Sequence, residues 1–368
     1  MIWSSLFILN ALLYLLLMLW YRRGLYLLEQ KIPDNGQEPG ISVVVAARNE
    51  ASDLPRLLQA LRQQDNTGFE YEVLLIDDCS SDSTASLIFA AAGADPRFRA
   101  LSTKNTSRGK KEAITLGVAA ARFPLVVICD ADSQPGQQWL KTLRRAFTPI
   151  TGMVLGVTRL TADSTMLSRI LQVEYAGILG IGLATAALGV PLFASGSNLA
   201  FRREAFNEVG GYRGIEQIRS GDDTFLIQRI NQLTSWEIVP LLAAAARVDS
   251  RAPAGFGQLL SQRARWSSTQ FRVPDLRLTL VGLNAYLLVS SVLVIGVCGL
   301  FAPHYFALAG LLLLIKILAE TGFLKHSNRL QGLHISWYLI LLGQFWELLY
   351  IPLSPLLGLT GLFRWRQR

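Results

Sequence analysis

The chain has 368 residues, 51% of them hydrophobic and 17% charged, with a formal net charge of +8. That balance excludes a disordered polar chain and fits a soluble domain joined to membrane segments better than an all-soluble globule. Its three cysteines, Cys79, Cys129 and Cys298, are too scattered for a disulfide framework or a zinc knuckle and suit a reducing compartment.

In chain order, the stretch from Met1 to Tyr21 holds no Asp, Glu, Lys or Arg. It is long enough to cross a hydrocarbon core of roughly 30 Å as a helix. Arg22 and Arg23 follow this run instead of preceding it, and no small-residue cleavage site is evident. A retained anchor over residues 1–23 is therefore expected, not a signal peptide, with the next domain in the cytoplasm. Lys325 and Arg329 agree with an inside location.

From Gly40 the pattern changes. "ISVVVAA" (Ile41–Ala47) reads as a buried strand, followed by a helix with Ser52 at its N-cap. A strand over Glu72–Asp77, a helix from about Ser83, a helix over Lys110–Ala121 and a strand over Leu125–Asp130 come next. Strands alternating with helices predict an α/β domain over about 40–270, its mostly parallel sheet covered on both faces, with ligands at the carboxyl ends of the strands.

Ser168–Pro191 is apolar enough to span a membrane. Crossing there would put Asp130 and Asp223 on opposite sides of the bilayer, so an amphiphilic helix at the membrane face is expected instead. A membrane region over 276–362 closes the chain, in three apolar runs. In the second, Lys316 and Glu320 stand one helical turn apart and can pair. The third carries Glu347 and is broken by Pro352 and Pro355. A full crossing would leave "RWRQR" outside, against the positive-inside rule, so a re-entrant or interfacial hairpin is the expectation. Basic flanks facing anionic head groups account for the net charge without nucleic acid.

All three histidines, His304, His326 and His334, lie in this last region. Without imidazole, the α/β domain is a poor candidate for Ser-His-Asp hydrolysis, Cys-His catalysis or a His-ligated zinc. Carboxylates are the remaining candidates, and they gather where strands end: Glu50 after the first, Asp77, Asp78 and Asp82 after the second, Asp130 and Asp132 after the next. Any one of them can be explained as a helix or turn cap. As a set they suggest more, because two aspartates one residue apart can approach a hard cation such as Mg2+ or Mn2+ from one side, with substrate phosphates completing its shell. No glycine-rich dinucleotide fingerprint is present, and "RGKK" (Arg108–Lys111) lacks the P-loop spacing.

The stretches "VVVAARNE", "VLLIDDCSSDST", "SRGKKEAITLG", "VVICDADS", "SGSNLAFRREAF", "GDDTFLIQR" and "QRARW", in this order, resemble the membrane-integrated branch of the family 2 glycosyltransferases. The likeness covers roughly Gly40 to Trp266. It implies a GT-A fold and an inverting transfer of sugar from a nucleotide-sugar, a UDP-sugar by expectation, to a lipid or saccharide acceptor at the inner membrane.

By resemblance, Asp77 and Asp78 contact the nucleotide base, Glu50 borders that pocket, and Lys110 lies near the nucleotide. Asp130 and Asp132 match the metal-diphosphate motif. Asp223 matches the catalytic base, and Asp222 takes the preceding acidic position. Gln262, Arg263, Arg265 and Trp266 match a signature of membrane-bound synthases and glycolipid glycosyltransferases, in which Arg265 would steady the diphosphate and Trp266 would line the acceptor entrance. Thr115 stands where many relatives have Asn.

Two other readings compete. A processive polysaccharide synthase carries the same signature but must thread its polymer through a pore, for which three or four apolar segments are few. A catalytically silent scaffold should have lost some of the acidic set.

Overall fold

A computed structural model describes residues 2–29, 40–103, 109–218, 220–253, 255–270 and 272–360. The segment 104–108, which contains Arg108, and the terminal "RWRQR" lie outside the described residues.

The elements run α1 (Ile2–Leu28), β1 (Gly40–Ala47), α2 (Leu54–Arg62), β2 (Glu70–Asp77), α3 (Thr84–Ala94), β3 (Phe98–Ser102), α4 (Lys110–Ala120) and β4 (Leu125–Ile128). Then come β5 (Gln134–Pro135), α5 (Trp139–Arg145), β6 (Thr151–Gly156), β7 (Thr158–Thr161), α6 (Met166–Ala187), β8 (Leu199–Arg202), α7 (Arg203–Glu208) and α8 (Asp222–Leu233). The chain continues through β9 (Glu237–Leu241), β10 (Val248–Arg251), α9 (Phe256–Gln270), α10 (Leu276–Gly299), α11 (His304–Leu330), α12 (Trp337–Tyr350) and α13 (Leu353–Thr360).

Contacts divide the chain into two units. One is Leu28–Thr161 with Thr185–Arg251; the other is Met1–Leu27 with Ala162–Ala184 and Ala252–Arg368. The contiguous 40–270 stretch read from the sequence thus gives up most of α6 and all of α9 to the unit that holds the long apolar helices.

In the first unit a seven-stranded sheet is ordered β3-β2-β1-β4-β8-β6-β9. Pairings β2–β3, β1–β2, β1–β4 and β6–β9 are parallel, whereas β8 is antiparallel to both neighbours. A small sheet, β5-β10-β7, stands beside it.

Runs such as Val43–Val44–Val45 have no polar residue to offer either face, which suits strands covered on both sides. Ile41, Val43, Val45, Val73, Leu75 and Val127 pack with Leu54, Leu57, Leu58 and Leu61 of α2, Ile88 of α3 and Trp139 of α5. Val44 and Ile76 point the other way, against α4, whose Gly117 comes so close that a Cβ there would lie 2.5 Å from Val44 Cγ1. Two local readings shift. The residue before α2 is Asp53, not Ser52, and Asp53 is tied to Arg251 at 2.8 Å while Ser52 Oγ donates to it. The fourth strand stops at Ile128, so Cys129–Asp132 leave the sheet as a turn.

The second unit contains helices whose exposed faces are apolar. On α1, Ala11, Tyr14, Met18, Tyr21 and Leu25 are buried at helical spacing while Leu6, Leu9, Leu13 and Leu16 are exposed. A helix with apolar residues on both its packed and its open face fits lipid better than water. Among the described residues, five helical stretches are long and apolar enough to cross a membrane, including α6 and the α12–α13 stretch Trp337–Leu359. Several charged groups inside are paired: Lys316 reaches Glu320 at 2.8 Å, as its spacing predicts, and also Glu347 and Gln344. Tyr14 donates to Glu320, and Asn284 to Asn10 at 2.7 Å. Helix α6 differs from the surface-lying helix expected: 72% of its apolar window is buried.

Gly117→Val should destabilise the protein by about 1–3 kcal/mol, since neither the sheet nor α4 can retreat without opening the core. The midpoint of thermal unfolding in detergent reads this out; an unchanged midpoint would contradict the close helix-to-sheet contact.

Candidate active site

Strand order decides which chain segments meet. β3 and β2 lie on one side of β1 and β4 on the other, so the connection reverses direction at β1, where open α/β sheets bind ligands. The carboxyl ends of β2, β1 and β4 are consecutive along this edge. Because β8 is antiparallel, with Leu199 opposite Ile128, its entry residues Ser195–Asn198 join the same edge.

At the β1 and β2 ends the backbone is constrained. Asn49 and Cys79 adopt φ of 54° and 57°, a left-handed conformation uncommon for residues other than glycine and often found at functional turns. Asn49 Oδ1 accepts from Ser81 N at 2.8 Å, and Asn49 N donates to Ser80 Oγ at 3.1 Å, tying the two turns together. Asp77 and Asp78 are buried between them; Asp77 accepts from Ser80 N and Asp78 from Thr103 Oγ1. Glu50 N donates to Thr84 Oγ1 at 2.8 Å, so Glu50 borders the same turn. Asp82 accepts the N–H groups of Ala51 and Thr84, which makes it a turn-holding residue.

At the β4 end, Lys110 from the first turn of α4 places its ammonium 2.8 Å from Asp130 and 3.2 Å from Asp222. Asp222 and Asp223 open α8 immediately after Gly221, whose φ of 78° lets the chain turn sharply into the helix. Asp223 accepts from Gly196 N at 3.0 Å and from its neighbour Thr224 N at 2.6 Å. Asp132 lies on the same turn as Asp130, four residues beyond the strand.

The electrostatics separate the two adjacent carboxylates. Burial raises Asp222, but the ammonium groups of Lys110 and Lys111 outweigh it and hold the group below the ordinary range. For Asp223, burial and the charge of Asp222 win, and its carboxyl is pushed up to about 6. One stays ionised while its neighbour becomes a moderately strong base near neutral pH, an arrangement suited to general-base catalysis.

The sequence did not point to several supporting residues. Buried Lys111 donates to the carbonyls of Ile218 and Ser220 and so fixes the approach to Asp222; its place beside Lys110 was the available signal. Asn198, fully buried, accepts from Trp139 Nε1 at 3.0 Å and donates to the carbonyls of Val157 and Ala246, holding the loop that presents Gly196. Tyr212 is buried too, with its ionisation raised by burial and by Asp222, and its hydroxyl has no partner among the described residues.

Among the described residues no group of three or more His, Cys, Asp or Glu could hold a metal by itself. The donor set at β4 consists of Asp130 and Asp132, hard oxygen ligands, with the Asp130 side chain 37% exposed. That set fits a divalent cation which takes its other oxygens from a bound diphosphate, and does not fit a resident all-protein cage.

Gln262, Arg263, Arg265 and Trp266 lie on α9, in the second unit. Arg263, expected among the donor-binding groups, is 4% exposed and forms an ion pair with Glu174 of α6 at 3.0 Å. The charge of this guanidinium is met inside its own unit.

Asp223 also makes a stability prediction. A folded-state pKa near 6, above the ordinary carboxylate value, favours the folded protein below about pH 4 and loses that contribution as pH rises through 6. Asp223→Asn should therefore gain stability relative to the parent between pH 4 and 7, by about 2–3 kcal/mol at the upper end. Melts of both proteins across that range test it; parallel curves would sink it.

Residues 42–210 match the model of Glycosyl transferase family 2. Among curated relatives, the chain is 28% identical over 244 residues to the poly-beta-1,6-N-acetyl-D-glucosamine synthase of Staphylococcus epidermidis, covering 64% of this chain and 55% of that protein. It is 38% identical over 96 residues to the undecaprenyl-phosphate 4-deoxy-4-formamido-L-arabinose transferase of Shewanella sediminis, covering 26% and 29% of the two chains. The chain thus spans about half the length of the synthase. A mannosyltransferase from Pyrobaculum calidifontis, solved with GDP-Man and Mn2+, superposes with a TM-score of 0.58 at 19% identity, over 94% of this chain and 99% of that one. The fold is of that GT-A type.

Proposed function

We propose, for a chain that carries a family 2 glycosyltransferase domain, that it transfers a sugar from a nucleotide-sugar to a membrane-associated lipid or glycolipid acceptor, with inversion at the anomeric carbon. The observation that carries the reading is the Lys110 ammonium joining Asp130 to Asp222: it brings the metal-diphosphate motif and the base motif into one cluster.

Asp77, Asp78 and Glu50 border the pocket proposed for the nucleoside. Asp130 and Asp132 would hold Mg2+ or Mn2+. When bound, the ion supplies charge neutralisation of the departing nucleoside diphosphate. Asp223 takes the proton of the acceptor hydroxyl as that oxygen attacks the anomeric carbon. The bond from sugar to diphosphate breaks as the new glycosidic bond forms, through an oxocarbenium-like transition state. Asp222 remains ionised, held by Lys110, and its charge keeps Asp223 basic. For Arg265 we retain the leaving-group role, and for Gln262 and Trp266 the donor- and acceptor-side roles, that their motif implies. The sugar-transferring unit is assigned to the cytoplasm, with the α12–α13 stretch as a hairpin.

The likeness to a polysaccharide synthase favours a second reading, repeated addition to a growing polymer. Membranes containing the full chain, supplied with a panel of radiolabelled UDP- and GDP-sugars and Mn2+, separate the two. Organic-extractable product is expected. High-mass polymer would establish the second reading, and no incorporation from any donor would overturn both.

Asp223→Asn and Asp130→Asn should each lower turnover by on the order of 10²–10³. In the parent, activity should rise with pH through about 6 as Asp223 loses its proton, and this limb should disappear from the residual rate of Asp223→Asn. An unaltered rate or pH profile in that variant would remove Asp223 from the base role. Chelation should abolish transfer and Mn2+ or Mg2+ restore it; activity indifferent to chelator would discard the metal.

A further inference from the structure

The α9 motif carries two arginines at spacings that serve different faces of a helix. Arg263 and Trp266 are three residues apart, as are Gln262 and Arg265, so the four residues form two neighbouring pairs about a quarter-turn apart.

The Arg263–Trp266 face is turned into its own unit. Arg263 lies 3.0 Å from Glu174 Oε1, and its guanidinium stacks 4.3 Å from the centre of the Trp266 ring and 5.8 Å from that of Tyr350. The Tyr350 hydroxyl donates to the same Glu174 oxygen, and Tyr175 sets its ring 6.2 Å from Trp266. Glu174 and Arg263 are 5% and 4% exposed. On its other flank α9 meets α13: a Cβ at Gly358 would lie 2.8 Å from Ala264 O, and Ser267 Oγ donates to Ser354 Oγ at 3.5 Å.

A buried carboxylate on a mostly apolar helix such as α6 is costly unless it meets an opposite charge. Here the partner comes from the motif helix, and α12 adds a hydroxyl to the same oxygen. Three helices thus converge on one carboxylate, an arrangement that fixes the rotation of α9 about its own axis.

We propose that Glu174, with Tyr350, is the anchor that orients the motif helix, and that Arg263, stacked on Trp266, is the residue through which it does so. Arg263 does not bind the donor. The proposal rests on the glycosyl-transfer reading for its kinetic readout, but not for its structural one.

Apolar replacement of both partners separates an anchor from a donor ligand, since a well-packed apolar pair can substitute for a buried ion pair whereas a single removal strands a charge. In the full chain in detergent, Arg263→Met should lower the melting temperature, because Glu174 is then left buried without its countercharge, and should reduce turnover by about 100-fold through misplacement of the motif helix. Glu174→Met combined with Arg263→Met should recover the melting temperature and bring turnover to within about tenfold of the parent. Donor affinity, measured by calorimetry with the nucleotide-sugar that gives product or with UDP if none does, should be unchanged in the double variant.

A double variant that melts like the parent yet stays as inactive as Arg263→Met, or binds nucleotide tenfold more weakly, would return Arg263 to the donor site and overturn the proposal. So would an Arg263→Met protein indistinguishable from the parent. Should the double variant fail to fold, Glu174→Gln gives the same reading: reduced kcat with unchanged nucleotide affinity supports the anchor, and parental kcat overturns it. Because the melting temperatures report on the pair even without turnover, failure of the glycosyl-transfer reading would appear separately, as a parent inactive with every donor.

Discussion

One ammonium group organises the sheet edge. Lys110 stands between Asp130, in the turn after β4, and Asp222, which begins α8, two positions 92 residues apart in sequence. Without a cation there, carboxylates from separate segments would repel one another at a partly buried edge. With it, the charges of Asp222 and Asp223 diverge: the first is stabilised as an anion, and the second, facing that anion and burial together, becomes more basic. The proposed chemistry depends on this asymmetry more than on the number of acids present.

Lys111, the next residue, does complementary work from the same helix. Its ammonium holds backbone carbonyls ahead of Asp222. The Asn198 amide fixes the loop whose Gly196 N–H caps Asp223. The pocket is thus set by backbone groups clamped through buried polar side chains, each satisfied by specific partners. Such networks are costly when incomplete, which ties the geometry of the acids to the packing of the sheet. Elsewhere in the chain the same logic recurs. Glu72, 2% exposed, is met by Arg99, Arg122 and Ser42, and Lys316, 1% exposed, by Glu320, Glu347 and Gln344. Paired burial of this kind contributes less to net stability than to the choice of one arrangement over others.

Much of the site was legible in the sequence because strand-end positions are local. The apolar runs before "DDCSS" and "CDADS" identify strands, the rule for open α/β sheets places ligands at their ends, and the absence of histidine leaves carboxylates as the candidates. The limits of that reading are equally specific. Arg263 and Arg265 look equivalent in "QRARW", and only the partner on α6 distinguishes them. Ser52 resembled an N-cap by type, yet Asp53, tied to Arg251, occupies the position. Tyr212 carries no recognisable spacing, and Lys111 and Asn198 lie in matched stretches without a role assigned to them, since their importance comes from what they face.

The amino-acid order by itself determined the alternation of strand and helix, the acidic strand ends, the apolar runs at the two ends of the chain and the family resemblance. All of these depend on residue type and on periodicities of two or about three and a half residues, which are local properties. Tertiary structure decided that β8 runs antiparallel and brings Ser195–Asn198 to the acidic edge, that Lys110 bridges Asp130 and Asp222, and that α6 gives its carboxylate to the motif helix. Each of these is a pairing between groups tens of residues or more apart, and such pairings are selected by the simultaneous burial of charge and apolar surface in one packed unit, which no short window of sequence contains.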